Sequence, residues 1–276
     1  MATQKDRYLI NSIIRACNIL KCLSKDKTHF KISEVARQLH LDRSATYRIL
    51  LSLERCGLVE KDEKTGEYSL GMAAFEIGNV YLRQMDFVQI SKPFMADLAL
   101  KVQETVHLAV LSETEIVYVD KNDSPRSLGV MSKIGQRAPV HCTALGKALL
   151  AFQPDKELSR IINEIKLKPY TRNTITSKNK LIKELRETRK RGYALDQREY
   201  EEDVECIGAP IRDHLGRVIA ALSISGPQRK INTSHEKLFI RQVMKAAALI
   251  SSKMGYMENP QSPLESPRRL NETWNL

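Results

Sequence analysis

The first third of the chain alternates apolar and polar residues at helical spacing, with one sharp break. Between residues 31 and 58, Ile32, Val35, Ala36 and Leu39 make an apolar helix face. His40, Leu41 and Asp42 interrupt it, and Asp42 is a suitable N-cap for a second helix, in which Ala45, Ile49, Leu50 and Leu53 point inward. Residues 11–23 predict an earlier helix, with Ile13, Cys17 and Leu20 on the side that packs beneath this pair. After Gly57, Leu58 and Val59 open a short strand, Lys64-Thr65-Gly66 turns, and Tyr68-Ser69-Leu70 returns before Gly71. Residues 71–83 carry Met72, Phe75, Ile77, Val80 and Tyr81 on more than one side of a helix. Such a helix buries its surplus against a partner, and a second copy of the chain is the economical one.

From Phe87 onward the pattern changes. A helix is predicted over 94–104, and strands over 105–111, 115–119 and 128–132. Helices follow over 145–152, 156–165 and 178–191, the last closed by Gly192. Strands resume over 193–197 and 206–212, and a turn at 213–216 leads into a strand over 218–225. A long helix covers 234–254. Sequential hairpins with helices gathered between them predict an α+β domain around a largely antiparallel sheet. The boundaries expected are a helix-turn-helix domain with a hairpin wing over 1–70, a linker helix over 71–85, a ligand-binding domain over 86–256, and a disordered tail over 257–276. That tail holds three prolines and Trp274, the only tryptophan.

Composition refines this only slightly. The net charge is +11, which favours polyanionic partners. Yet residues 1–83 carry +4 and residues 84–255 carry +8, so the helix-turn-helix pattern, not the charge, carries the argument for DNA. The five cysteines are odd in number and form no C-x-x-C pair; Cys17 and Cys22 read as small core residues in a reducing compartment. No run is long and apolar enough for a membrane span, and the N-terminus lacks the apolar core of a secretion signal. A soluble, cytoplasmic protein is expected.

Two sets of residues carry candidate chemistry. On the second helix of the pair, Arg43, Ser44, Thr46, Tyr47 and Arg48 lie outward near the N-terminus. Arg suits guanine edges, Ser and Thr reach base edges or phosphates, and Tyr bonds phosphate oxygen. A helix N-terminus also favours phosphate. This is the arrangement of a recognition helix in the major groove of double-stranded DNA, where a plain hairpin would only present a solvated polar face. Lys61 and Lys64 belong to the tip of the wing, where contact with phosphates or the minor groove and, for either one alone, an ordinary solvated turn are equally good readings. In the second domain, Asp196 and Cys206 fall near the ends of adjacent strands, and Ser223 and Ser225 share one strand face. Together with the backbone N–H groups of Ala144, Leu145 and Gly146 at a helix start, they fit a small acid or hydroxy compound; serines decorating an edge strand are the plainer alternative. His107, His141 and Cys142 match no metal-ligand spacing, and no phosphate loop or nucleophile elbow is present. His107 reads as a core histidine, and neither catalysis nor a cofactor is expected.

Several stretches in order, RSATYRILLSLERCGLVEKD, YSLG, PVHCTALGKALLA, RGYALD, CIGAPI and ALSISGP, make the chain resemble the IclR family of bacterial transcription regulators from about residue 10 to 256. The resemblance implies a winged helix-turn-helix, a linker helix and a GAF-like effector domain, in dimers or tetramers on palindromic operators. It also implies effector contacts from Asp196, Cys206, Ser223 and Ser225, with backbone near Ala144 and Leu145. Three positions depart from the family's habit. Arg198-Glu199 stands where a Glu-Glu pair is usual, Asp203 replaces a glycine, and Leu145 is bulkier than the small residue of some relatives, which should narrow the pocket.

Overall fold

The computed structural model describes residues 9–24, 29–83, 86–124, 132–227 and 235–257. The strand expected over 128–132, apart from its last residue, and nearly all of the expected tail lie outside the described residues. Contacts divide the chain into two units, Met1–Gln84 and Met85–Leu276.

The first unit packs α1 (Asn11–Leu23), α2 (Ile32–Leu39) and α3 (Arg43–Arg55) against a hairpin of β1 (Val59–Lys61) and β2 (Tyr68–Leu70), followed by α4 (Met72–Arg83). The break read at 40–42 is a left-handed C-cap at His40 followed by Asp42, whose carboxylate accepts from the N–H groups of Ser44 and Ala45. Phe30 bridges to Tyr68 and extends the wing. The core contains Ile19, Cys22, Leu23, Phe30, Val35, Leu50, Leu53, Val59 and Tyr68. The inward face of α1 differs from the expected one. Ile19, Cys22 and Leu23 are buried, whereas Ile13 and Cys17 are exposed. The helix carries two apolar stripes, and only the later one meets α3.

The second unit is α+β. Its six-stranded sheet has the order β5-β4-β3-β8-β7-β6, from β3 (Thr105–Ser112), β4 (Glu115–Asn122), β5 (Arg137–Pro139), β6 (Ala194–Gln197), β7 (Val204–Arg212) and β8 (Val218–Pro227). All pairings are antiparallel. The alternation of strand residues assigns one helix layer to each face. Val106, Leu108, Ile207, Ala209, Leu222 and Ile224 face α5 (Asp86–Val102) and α9 (Glu236–Lys253). Ala109, Ile116, Tyr118, Ala194 and Ala221 face α6 (Ala144–Leu150), α7 (Asp155–Glu164) and α8 (Lys178–Arg191). α8 ends at Gly192 with φ 80°, as its glycine predicts. α5 begins well before the expected 94, because Pro93 is accommodated within the helix. β5 was not legible as a strand: three residues, the last a proline, carry no period.

Candidate functional site

On α3, Arg43, Ser44, Tyr47 and Arg48 are exposed, so the face that begins at the Asp42 cap is available to a ligand. Thr46 is not on it. It is fully buried, and its hydroxyl donates to the Asp42 carbonyl at 2.8 Å. Four residues from the cap carbonyl, a threonine can bond back along the helix, and here that bond replaces an outward contact. Ser44 is outward, but its hydroxyl donates to the Asp42 carboxylate, so a phosphate must displace that bond to receive the proton. On the wing, Lys64 is exposed at a turn in which the Asp62 carboxylate accepts from the N–H groups of Lys64 and Thr65. Lys61 is partly covered and pairs with Glu63 at 3.2 Å.

In the second unit the strand register assembles the other candidates. Asp196 is opposite Cys206, and Cys206 is opposite Ser225 on its other side. Two residues along, Gly208 is opposite Ser223, which in turn faces His107. These residues share the face covered by α6. The helix comes close because position 208 lacks a side chain: a Cβ there would lie 2.7 Å from the Ala144 carbonyl oxygen. A cleft results, with about 370 Å³ of atom-free space including its open mouth, lined by Asp196, Cys206, Ser223, Ser225, Ala144 and Leu145. Its remaining walls are His107, Tyr118, Thr143, Tyr200, Glu201 and Val204.

Of the expected site residues in this unit, only Gly146 is not among them. Its N–H donates to the Thr143 hydroxyl, and a Cβ there would strike Val140. Thr143 is the N-cap of α6, which consumes that N–H. The N–H groups of Ala144 and Leu145, in the first turn, have no partner within the helix.

The cleft is polar but weakly charged. Burial raises the Asp196 carboxyl to about 7, although Lys147 and the N–H groups of Glu199 and Tyr200 act against this. Burial lowers His107 to about 4, so its ring is neutral at pH 7. Its Nε2 lies 2.6 Å from Ser132 Oγ and its Nδ1 3.2 Å from Ser225 Oγ. Burial also keeps the Cys206 thiol protonated, well above its usual range. Among the described residues that line it there is no Lys or Arg. Ser223 is 1% exposed, and its hydroxyl has no hydrogen-bond partner among the described residues. Buried hydroxyls are normally bonded, so this one is free for a group that enters the cleft.

Sequence reasoning read His107 as a satisfied core residue, and it is one, but it also forms the wall. Its alternation with Thr105 on a strand beside Ser223 was the available signal. Tyr200 and Glu201 come from the loop joining β6 and β7, where no period exists to place them. His141 and Cys142 are buried away from the cleft wall, and no cluster that could hold a metal occurs among the described residues.

Comparison with known proteins agrees with both halves. A family model described as bacterial transcriptional regulator IclR C-terminal matches residues 79–252, and an IclR helix-turn-helix domain matches residues 12–63. The HTH-type transcriptional regulator KdgR of Escherichia coli is 34% identical over 251 residues, covering 91% of this chain and 95% of that protein. The crystal structure of the Thermotoga maritima IclR superposes with a TM-score of 0.70 at 35% identity, over 89% of this chain and 99% of that one. An IclR homolog of Microbacterium hydrocarbonoxydans, crystallised with 4-hydroxybenzoate, superposes with a TM-score of 0.77 at 25% identity, over 88% and 98% of the two chains. A capped helix pair with a hairpin after it and a sheet covered by helices on both faces thus occur in one chain, and the chain is a member of the IclR family of DNA-binding transcriptional regulators.

Proposed function

We propose that this regulator is non-catalytic and cytoplasmic, and that a small organic acid bound in the cleft controls its grip on a palindromic operator. The observation that carries the effector reading is the buried, unpartnered Ser223 hydroxyl among Asp196, Cys206, Ser225 and the first-turn N–H groups of Ala144 and Leu145. Among the described lining residues the donors are N–H and O–H groups and not Lys or Arg, which suits one carboxylate better than several. Asp196, raised to about 7 by burial, is about half protonated at pH 7, and in that form it donates to the acid instead of repelling it. The 4-hydroxybenzoate bound by the M. hydrocarbonoxydans homolog is a compound of that class.

Arg43, Ser44, Tyr47 and Arg48 contact DNA directly, with Lys61 and Lys64 on flanking phosphates; Thr46 supports the helix from within. α4 is the dimer helix. Met72, Phe75, Ile77 and Val80 are each between 47% and 67% exposed in the single chain, and a second copy covers them. A dimer places two recognition helices on half-sites one helical turn, about 34 Å, or a multiple apart.

Selection of bound duplexes from a random pool tests the DNA half. The expected product is an inverted repeat bound by two chains. Enrichment of a single, non-repeated site would exclude the dimeric reading.

A further inference from the structure

We infer that Lys147 and Glu199, neither of which lines the cleft, are positioning residues for it: their buried ion pair joins two of its walls. One wall is the first turn of α6, and the other is the loop between β6 and β7 that carries Tyr200 and Glu201. Lys147, on α6, is wholly buried, and its ammonium donates to Glu199 Oε1 at 2.5 Å. The significance of the joint rests on the effector reading above, but the joint itself is a property of the chain alone.

The loop is fastened at several points along its first half. Thr171 Oγ1 donates to the Arg198 carbonyl at 2.7 Å, and Thr174 Oγ1 donates to the Glu199 carbonyl at 2.6 Å. The Tyr170 and Tyr200 rings meet edge to face at 5.0 Å. Arg198 has a left-handed φ of 62°, a conformation that a side chain tolerates only where its surroundings impose it. Two features assign the ion pair more than a packing role. The second Glu199 oxygen is buried with no partner among the described residues, so Lys147 is the principal compensation for that carboxylate. And Asp196, on the cleft wall, accepts the N–H of Glu199 at 2.7 Å. A ligand that engages Asp196 therefore acts on the same loop that Lys147 holds. A buried ion pair gives little net stability over an apolar pair, whereas breaking one side leaves a stranded charge. What it provides here is one defined position of the Tyr200–Glu201 wall relative to α6.

Alkylation of the full-length protein by iodoacetamide, without any effector, tests this. Cys206 lies on the cleft wall and Cys142 is buried beside the joint, within electrostatic reach of Lys147 and Glu199, while Cys22 is buried in the core of the first unit and reports general loosening. Glu199→Gln and Lys147→Met are each expected to speed Cys206 alkylation about tenfold or more through local opening, with Cys22 unchanged. The double variant Lys147→Met, Glu199→Leu replaces the pair by an apolar contact and is expected to return Cys206 toward the wild-type rate. Should the single variants fail to fold, Glu199→Asp keeps the charge but shortens its reach, and it should speed Cys206 selectively. Cys206 rates equal to wild type, or Cys22 accelerating together with Cys206, would overturn the assignment. Because no effector is used, failure of the effector reading and failure of the joint give separate results.

Discussion

Replacing Asp196 with Asn gives a quantitative test of the cleft's electrostatics. Burial moves this carboxyl from its ordinary 3.8 to about 7. Holding it ionised at pH 8 therefore costs the folded state about 4 kcal/mol relative to the unfolded chain. The sign follows from proton binding. Between about pH 4 and 7 the folded protein keeps a proton that the unfolded chain has lost, so this group's contribution to stability falls as pH rises through that window and levels off above it. Asn has the same shape, keeps an acceptor for the Glu199 N–H, and does not titrate. Urea unfolding of the full chain, followed by circular dichroism from pH 4 to 8, should give nearly equal stabilities at pH 4. The Asn variant should gain about 1.4 kcal/mol per pH unit relative to wild type, to a plateau above about pH 7. Comparison between variants cancels His107, which burial lowers to about 4 and whose contribution runs the other way, being lost as pH falls from about 6.5 toward 4. A difference that does not change with pH would mean that Asp196 titrates normally and that the cleft is not the dry site described.

Three further outcomes follow from particular contacts. Arg48→Ala should weaken operator binding by roughly 1–3 kcal/mol and relax preference at one base pair if Arg48 reads a base; equal weakening on all sequences in an anisotropy titration would limit it to phosphate. Gly208→Ala places a methyl group against the Ala144 carbonyl and should destabilise the protein by about 1–3 kcal/mol in thermal unfolding; an unchanged melting point would contradict the close approach of α6. Phe75→Glu puts a charge on the exposed face of α4 and should shift the chain to monomers in analytical ultracentrifugation, whereas a persistent dimer would place the interface elsewhere.

Much of this was legible in the sequence, for reasons that differ by element. α2 and α3 announced themselves through Val35, Leu50 and Leu53 at helical spacing and a cap at Asp42, and α8 through its period and Gly192. Asp196, Cys206, Ser223 and Ser225 were legible because strand alternation alone puts Ser223 and Ser225 on one face. Thr46 was misplaced because helical phase does not show that a hydroxyl near an N-cap can turn back to the cap carbonyl. The outward stripe of α1 was misread because two apolar stripes compete and only tertiary packing chooses between them. Gly146 lost its expected role to Thr143, which caps the helix one turn earlier. Lys147 and Glu199 are 52 residues apart, and nothing local in either segment marks them as partners.

The most direct test of the account is a melting-point screen of small keto, hydroxy and aromatic acids on the wild type, Asp196→Ala and Ser223→Ala. Ser223 is a clean probe, since its hydroxyl bonds nothing among the described residues and its removal should leave the empty chain no less stable. At about a hundred times its Kd, a bound acid adds about 2.7 kcal/mol, a readily measured rise. The account predicts at least one acid that raises the wild-type melting point and has lost that effect in both variants. A shift that survives in both, or none from any acid, would contradict the assignment of this cleft as the effector site.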